Sequence, residues 1–121
     1  MNKTFLIILI LVAGLVGFFI YNSNRPGELD EFALCLKDRG VKFWGAFWCP
    51  HCQNQKKMFG RSERLLPYIE CSTPDGKNQL QICIDKEIKG YPTWEFPDGS
   101  RLEGEVPLSQ LSEKSGCVLT Q

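Results

Sequence analysis

Two cysteines with two residues between them, Cys49 and Cys52, are the first feature of this 121-residue chain that could do chemistry. They sit in Trp48-Cys49-Pro50-His51-Cys52, where an apolar, aromatic run reading as a strand gives way to a polar helical stretch. A pair at this spacing can close a small redox-active disulfide. Cys49 falls at the helix N-terminus, where the macrodipole and free N–H groups favour a thiolate. His51 supplies a positive or hydrogen-bonding neighbour that favours the same thiolate. Pro50 suits the first helical turn, where its missing N–H is not needed. A dithiol whose reduced form is stabilised in this way is an oxidant as the disulfide. Cys49 is therefore expected as the exposed, attacking sulfur and Cys52 as the buried one that resolves the mixed disulfide. The pair itself carries the electrons, so no further cofactor is expected.

Other uses of the pair fit less well. A zinc site needs a second pair at ligand spacing, but the next cysteines, Cys71 and Cys83, are 12 apart and the single histidine lies inside the first motif. No metal is expected. A purely structural bridge across two residues closes too small a loop to stabilise much.

The elements that must position the site follow from periodicity and breakers. Leu29, Phe32, Ala33 and Leu36 recur at helical spacing, so Glu28 to Arg39 reads as an amphipathic helix stopped by Gly40. Val41 to Trp48 reads as a buried strand, and a helix runs from Cys49-Pro50 toward Phe59-Gly60. Arg61 to Leu66 continues as a helical piece, Tyr68 to Cys71 is a strand, and Ser72 to Asn78 is a loop. Leu80 to Ile88 reads as a helix. Thr93 to Phe96 and Arg101 to Val106 bracket the hairpin residues Pro97-Asp98-Gly99-Ser100, and Pro107 opens a last helix reaching Gly116. This order predicts an α/β domain, a small mixed sheet with helices on both faces. Trp44 and Trp94 are expected in the core. Trp48, beside Cys49, is expected as a partly exposed rim that docks substrate, and Lys56-Lys57 as the solvated face of the active-site helix.

Composition bounds the rest. Fourteen basic and fourteen acidic residues leave no net field to draw nucleic acid. The 17 residues from Phe5 to Tyr21 carry no charge, and they end in Phe18, Phe19, Ile20 and Tyr21 without a small-x-small cleavage site. Residues 1–21 are expected to be a transmembrane anchor, 22–27 (Asn-Ser-Asn-Arg-Pro-Gly) a linker, and 28–121 one modest domain. Lys3 and the amino terminus against Arg25 favour an amino terminus in the cytoplasm. Six cysteines in such a chain favour an oxidising compartment for the domain, the periplasm or a lumen.

The strand, the Trp-Cys-x-x-Cys helix and Gly90-Tyr91-Pro92-Thr93, whose proline is 43 residues beyond Cys49, together resemble the thioredoxin superfamily. More closely, Gly45-Ala46-Phe47-Trp48-Cys49-Pro50-His51-Cys52, Phe59-Gly60, Pro67-Tyr68-Ile69-Glu70-Cys71 and Gly90-Tyr91-Pro92-Thr93-Trp94 are similar to the thioredoxin-like domain associated with bacterial and plant vitamin K epoxide reductase homologues. The resemblance covers nearly all of residues 28–117. It implies a thioredoxin-like fold, with a central mixed four-stranded sheet flanked by helices. It also implies a cis peptide before Pro92, with Tyr91 and Pro92 facing the cysteines and offering backbone groups to a substrate chain. The resemblance includes Cys71 and Cys83, which are expected as a structural disulfide tying their loop near the site. Cys35 reads as a small buried hydrophobe. Cys117 follows the last helix, and the two helices are expected on opposite sheet faces, so no Cys35–Cys117 bridge is expected.

Two departures matter. Thioredoxins carry a buried acid in the strand before the motif, and Phe43 stands at the matching position, which leaves His51 or water to take the proton from Cys52. Any vitamin K epoxide reductase-like membrane oxidoreductase would be a separate polypeptide. The expected activity is a membrane-anchored, extracytoplasmic thiol-disulfide oxidoreductase that donates disulfides to cysteine-containing proteins and is reoxidised by that partner. The alternatives are a reductase or isomerase in disulfide repair or cytochrome maturation, and a metal-binding or chaperone module without turnover.

Overall fold

The computed structural model describes residues 2–120. Phe43 and Trp44 are adjacent and both buried, which a strand achieves only when each of its faces is covered. They lie in β1 (Lys42–Gly45), the strand next to the centre of a four-stranded sheet. β1 pairs in parallel with β2 (Tyr68–Glu70) and antiparallel with β3 (Thr93–Glu95), which pairs antiparallel with β4 (Arg101–Glu103), giving the order β2-β1-β3-β4. Elsewhere in the chain are α1 (Lys3–Ser23), α2 (Asp30–Asp38), α3 (Pro50–Lys57), α4 (Gln81–Asp85) and α5 (Leu108–Ser115). The parallel β1–β2 pair needs a crossover, and α3 with a 3₁₀ turn at Gly60–Leu65 supplies it. This is a thioredoxin-like fold.

The two sheet faces are unequal. Phe32 and Leu36 of α2, Phe43, Phe59, Trp94 and Leu111 of α5 share one core, whose aromatic rings stack from Phe32 through Phe59 to Trp94 and Phe43. Trp44, Cys71, Cys83 and Ile88 form the smaller core on the other face, beneath α4. Helices α2 and α5 therefore cover the same face. That overturns the expectation of opposite faces, and with it the doubt about Cys35 and Cys117, which are joined by a disulfide. Gly116 takes a left-handed turn after α5, and the chain folds back onto α2, where Arg39 also donates to the Ser115 carbonyl at 3.1 Å.

Other expected elements are shorter than the sequence suggested. The first strand stops at Gly45, because the chain turns through Ala46–Cys49 to enter α3, and this leaves Phe47 and Trp48 exposed. The helix expected from Leu80 to Ile88 is Gln81–Asp85. Glu87, at φ 53°, ends it and returns Ile88 to the core. The hairpin forms where the turn residues place it, with Asp98 accepting from the Ser100 N–H and hydroxyl. At 1.5 Å per residue, the 21-residue α1 is about 31 Å long. None of its residues is buried, and it is long and apolar enough to cross a membrane.

Candidate active site

Cys49 is the N-cap of α3 and Pro50 its first residue, so the cysteine stands at the end where unpaired backbone N–H groups gather. Lys56 and Lys57 occupy the last turn and complement the opposite end of the dipole. Cys52, Gln55 and Phe59 recur along the inward stripe of the helix and its exit, and all are buried. Cys49 and Cys52 are free thiols.

Cys49 is 5% exposed and Cys52 is 0% exposed. The order matches the expectation, but Cys49 is not the openly exposed sulfur that the motif suggested. The loop carrying Tyr91 and Pro92 explains this: the Tyr91–Pro92 peptide is cis, and the Cys49 thiol donates to the Tyr91 carbonyl at 3.6 Å. Burial, reinforced by the hydrogen bond with Cys49, pushes the Cys52 thiol up to about 12. Gly45 makes the close approach possible. A Cβ there would meet the Tyr68 ring at 2.7 Å and the Cys52 Sγ at 3.1 Å.

Around the pair the structure builds two flanks. On one, Trp48 is 51% exposed, with its ring edge-on to Tyr91 at 6.0 Å. Its indole N–H donates to the Ser72 hydroxyl at 2.9 Å, and Gln79 donates to both the Ile88 carbonyl (2.7 Å) and the Tyr91 hydroxyl (2.8 Å). Ser72 and Gln79 face each other across the loop that the Cys71–Cys83 disulfide closes. This bridge thus holds in place the loop that orients Trp48 and Tyr91.

On the other flank His51 Nδ1 lies 2.9 Å from Glu105 Oε1, which also accepts from Asn54 at 2.9 Å. These two hydrogen bonds, Asn54 first, hold the Glu105 carboxyl below the usual carboxylate range. Glu105 is set there by its neighbour. Buried Gln55 accepts from the Val106 N–H (2.7 Å) and donates to the Val106 carbonyl (3.0 Å), while also accepting from the Trp94 indole (3.2 Å). Glu105 carries no sequence signal, since only the fold brings position 105 to position 51. Gln55 did carry one, a polar residue three positions after Cys52 on the inward helical stripe. The expectation for the lysines is half corrected: Lys57 is exposed, but Lys56 is half-buried with its Nζ 3.6 Å from the Tyr68 ring centroid. Phe43 fills the position of the missing acid, stacked on Trp94 at 4.6 Å and edge-on to Tyr68 at 5.2 Å.

No family model matches the chain. It is 45% identical over 107 residues, 84% of this chain, to the thiol-disulfide oxidoreductase LTO1 of Arabidopsis thaliana. It is 31% identical over 104 residues, 74% of this chain, to a thioredoxin domain-containing protein 5 homolog of Drosophila melanogaster. The chain spans only 28% and 24% of the lengths of these relatives. The thioredoxin-like fold and these two relatives support a place for the chain in the thioredoxin superfamily.

Proposed function

We propose that the protein is a membrane-anchored thiol-disulfide oxidoreductase, with residues 1–21 as anchor, 22–27 as linker and 28–121 as an extracytoplasmic redox domain. The observation that carries this reading is the placing of two free thiols at the start of α3, with Cys49 bonded to the carbonyl of Tyr91. In the disulfide form, a substrate thiolate attacks Cys49 and Cys52 leaves. A second substrate thiol then attacks the substrate sulfur of the mixed disulfide, releasing oxidised substrate and the Cys49–Cys52 dithiol. Trp48 and Tyr91 form the face that receives the substrate segment, with buried Pro92 setting the Tyr91 backbone beneath it, and a chain laid beside Tyr91 would meet backbone groups as an added strand does. Pro50 and His51 favour the dithiol, which makes the disulfide a good donor. The name of the plant relative supports this activity class.

Reoxidation requires an acceptor, and the resemblance of residues 28–117 supports a vitamin K epoxide reductase-like membrane oxidoreductase in that role. Anchoring the domain in the same bilayer raises its effective concentration near such a partner. The α1 helix, wholly exposed and apolar, supports the anchor. The test is the equilibrium of Cys49–Cys52 with glutathione buffers, read by thiol trapping on the full chain in detergent. A potential above about −180 mV is expected, whereas one near about −270 mV would mark a reductase and overturn disulfide donation.

A further inference from the structure

Cys52 must lose a proton whenever it attacks Cys49 to resolve a mixed disulfide, and the usual buried acid is replaced by Phe43. Burial disfavours the Cys52 thiolate, so resolution through free thiolate alone would be slow. His51 is poorly placed to help, because its Nδ1 is engaged by Glu105 and its side chain is 69% exposed. Around Cys52 stand Cys49 and Lys56 from its own helix, the Ala46 backbone before it, Tyr68 from β2 and Tyr91 from the cis-proline loop.

Tyr68 and Glu70 form a connected pair on this side. A side chain at Gly45 would meet Cys52 Sγ at 3.1 Å and the Tyr68 hydroxyl at 3.4 Å, so sulfur and hydroxyl border the same small space. The Tyr68 hydroxyl donates to Glu70 Oε2 at 2.8 Å. The other carboxylate oxygen is fixed by the Phe47 N–H (3.2 Å) and the Ser72 N–H (2.9 Å), and Lys56 sits over the Tyr68 ring. Hydroxyl and half-buried carboxylate are therefore held together beside the buried thiol.

We propose that Tyr68 relays the Cys52 proton to Glu70, replacing the buried acid of the fold; this rests on the oxidoreductase reading above. In the resolving step Cys52 sulfur bonds to Cys49 sulfur, and the bond from Cys49 to the sulfur of the oxidising partner breaks. The electron pair leaves on that sulfur as a thiolate. The Cys52 proton passes to the Tyr68 oxygen as the Tyr68 proton passes to Glu70, which returns it to solvent or to the departing thiolate. When a substrate thiolate attacks Cys49 and Cys52 leaves, the same path runs backwards and delivers a proton to Cys52.

The test uses the full chain in detergent, with Cys49 and Cys52 reduced and both structural disulfides intact, and an aromatic disulfide, dithiobis(nitrobenzoate), under stopped flow. The first coloured thiolate reports attack by Cys49, and the second reports resolution by Cys52. Glu70→Gln keeps an oxygen for the Phe47 and Ser72 N–H groups but cannot take a proton. Tyr68→Phe keeps the ring between Phe43 and Lys56 and removes the hydroxyl. General-base assistance contributes about 10²–10⁴-fold, and water replaces part of it, so each variant is expected to slow the second release at least tenfold relative to the first at pH 7. The slowed release should also rise steeply with pH. A ratio within about threefold of wild type in either variant would overturn the relay while leaving the oxidoreductase reading intact. Absence of the first release in wild type would instead remove that reading, and the relay with it. A variant that loses its fold exposes both thiols to the reagent and shows no slow second release, so each variant's fold is checked by the fluorescence of buried Trp44 and Trp94, and the retained ring in Tyr68→Phe guards against that outcome.

Discussion

The two structural disulfides differ in one quantity that sets their worth, the length of chain each closes. Cys35–Cys117 spans 82 residues and Cys71–Cys83 spans 12. In the chain-entropy account these loops correspond to about 4.5 and about 2.8 kcal/mol, a difference of about 1.7 kcal/mol in favour of the outer bridge. Truncating cysteines to alanine adds packing losses of its own, since Cys71, Cys83 and Cys117 are all buried. The comparison is cleaner within variants. In Cys71→Ala/Cys83→Ala, the stability of the oxidised chain minus that of the reduced chain reports the outer bridge; in Cys35→Ala/Cys117→Ala it reports the inner one. The contribution of Cys49–Cys52 enters both differences equally and cancels. Urea titrations of the full chain in mild detergent, followed through buried Trp44 and Trp94, supply the four stabilities. A small domain holds about 5–15 kcal/mol in all, so reducing the outer bridge is expected to remove a large share of it. An inner bridge worth as much as the outer one, or more, would refute the loop-length reasoning.

Gln55→Leu leaves the Trp94 indole and both polar groups of Val106 without partners inside the core, and at about 1–3 kcal/mol per orphaned group it should cost at least 3 kcal/mol in urea titration. The Cys52 thiol, raised in the folded state by burial, makes the reduced protein bind protons more tightly than its unfolded chain. Its contribution is therefore full below about pH 9 and is lost as pH climbs toward 12; reduced wild type should lose stability over this window relative to Cys52→Ala, and parallel curves would contradict it. Trp48→Ala removes half-exposed aromatic surface beside Cys49, so KM for a cysteine-containing peptide should rise severalfold while the unfolding free energy from urea titration changes by less than about 1 kcal/mol. Cys52→Ser mixed with a disulfide-bonded substrate peptide should accumulate peptide joined to Cys49 on non-reducing gels, because Cys49 breaks the peptide disulfide and the resolving sulfur is gone; free peptide alone would argue against the assigned order of attack.

Much of the architecture is written in local pattern. The unbroken apolar run around Phe43 and Trp44 predicts a strand buried on both faces, Pro50 marks the first turn of the helix, and Pro97-Asp98-Gly99-Ser100 turns the hairpin where expected. These signals are legible because they depend on residues within one turn or one strand of each other. Strand and helix ends were less so. Phe47 looks like a buried strand residue, yet the turn into α3 lifts it to the surface together with Trp48, whose place beside Cys49 already suggests an exposed rim. The Cys-x-x-Cys motif and the cis-proline segment were visible as residues, but their meeting at 3.6 Å is a property of the fold.

Contacts between segments far apart in the chain lie beyond any local pattern. Cys35 meets Cys117 because α2 and α5 share one core, a choice of sheet face that helical periodicity does not encode. Glu105 meets His51 because buried Gln55 pins Val106, and Tyr68 reaches the space beside Cys52 because Gly45 has no side chain to fill it. Sequence fixes which side chains can do chemistry and on which local element they ride. Which of them come within hydrogen-bonding distance depends on how the elements pack, and that is set by burial summed over the whole core.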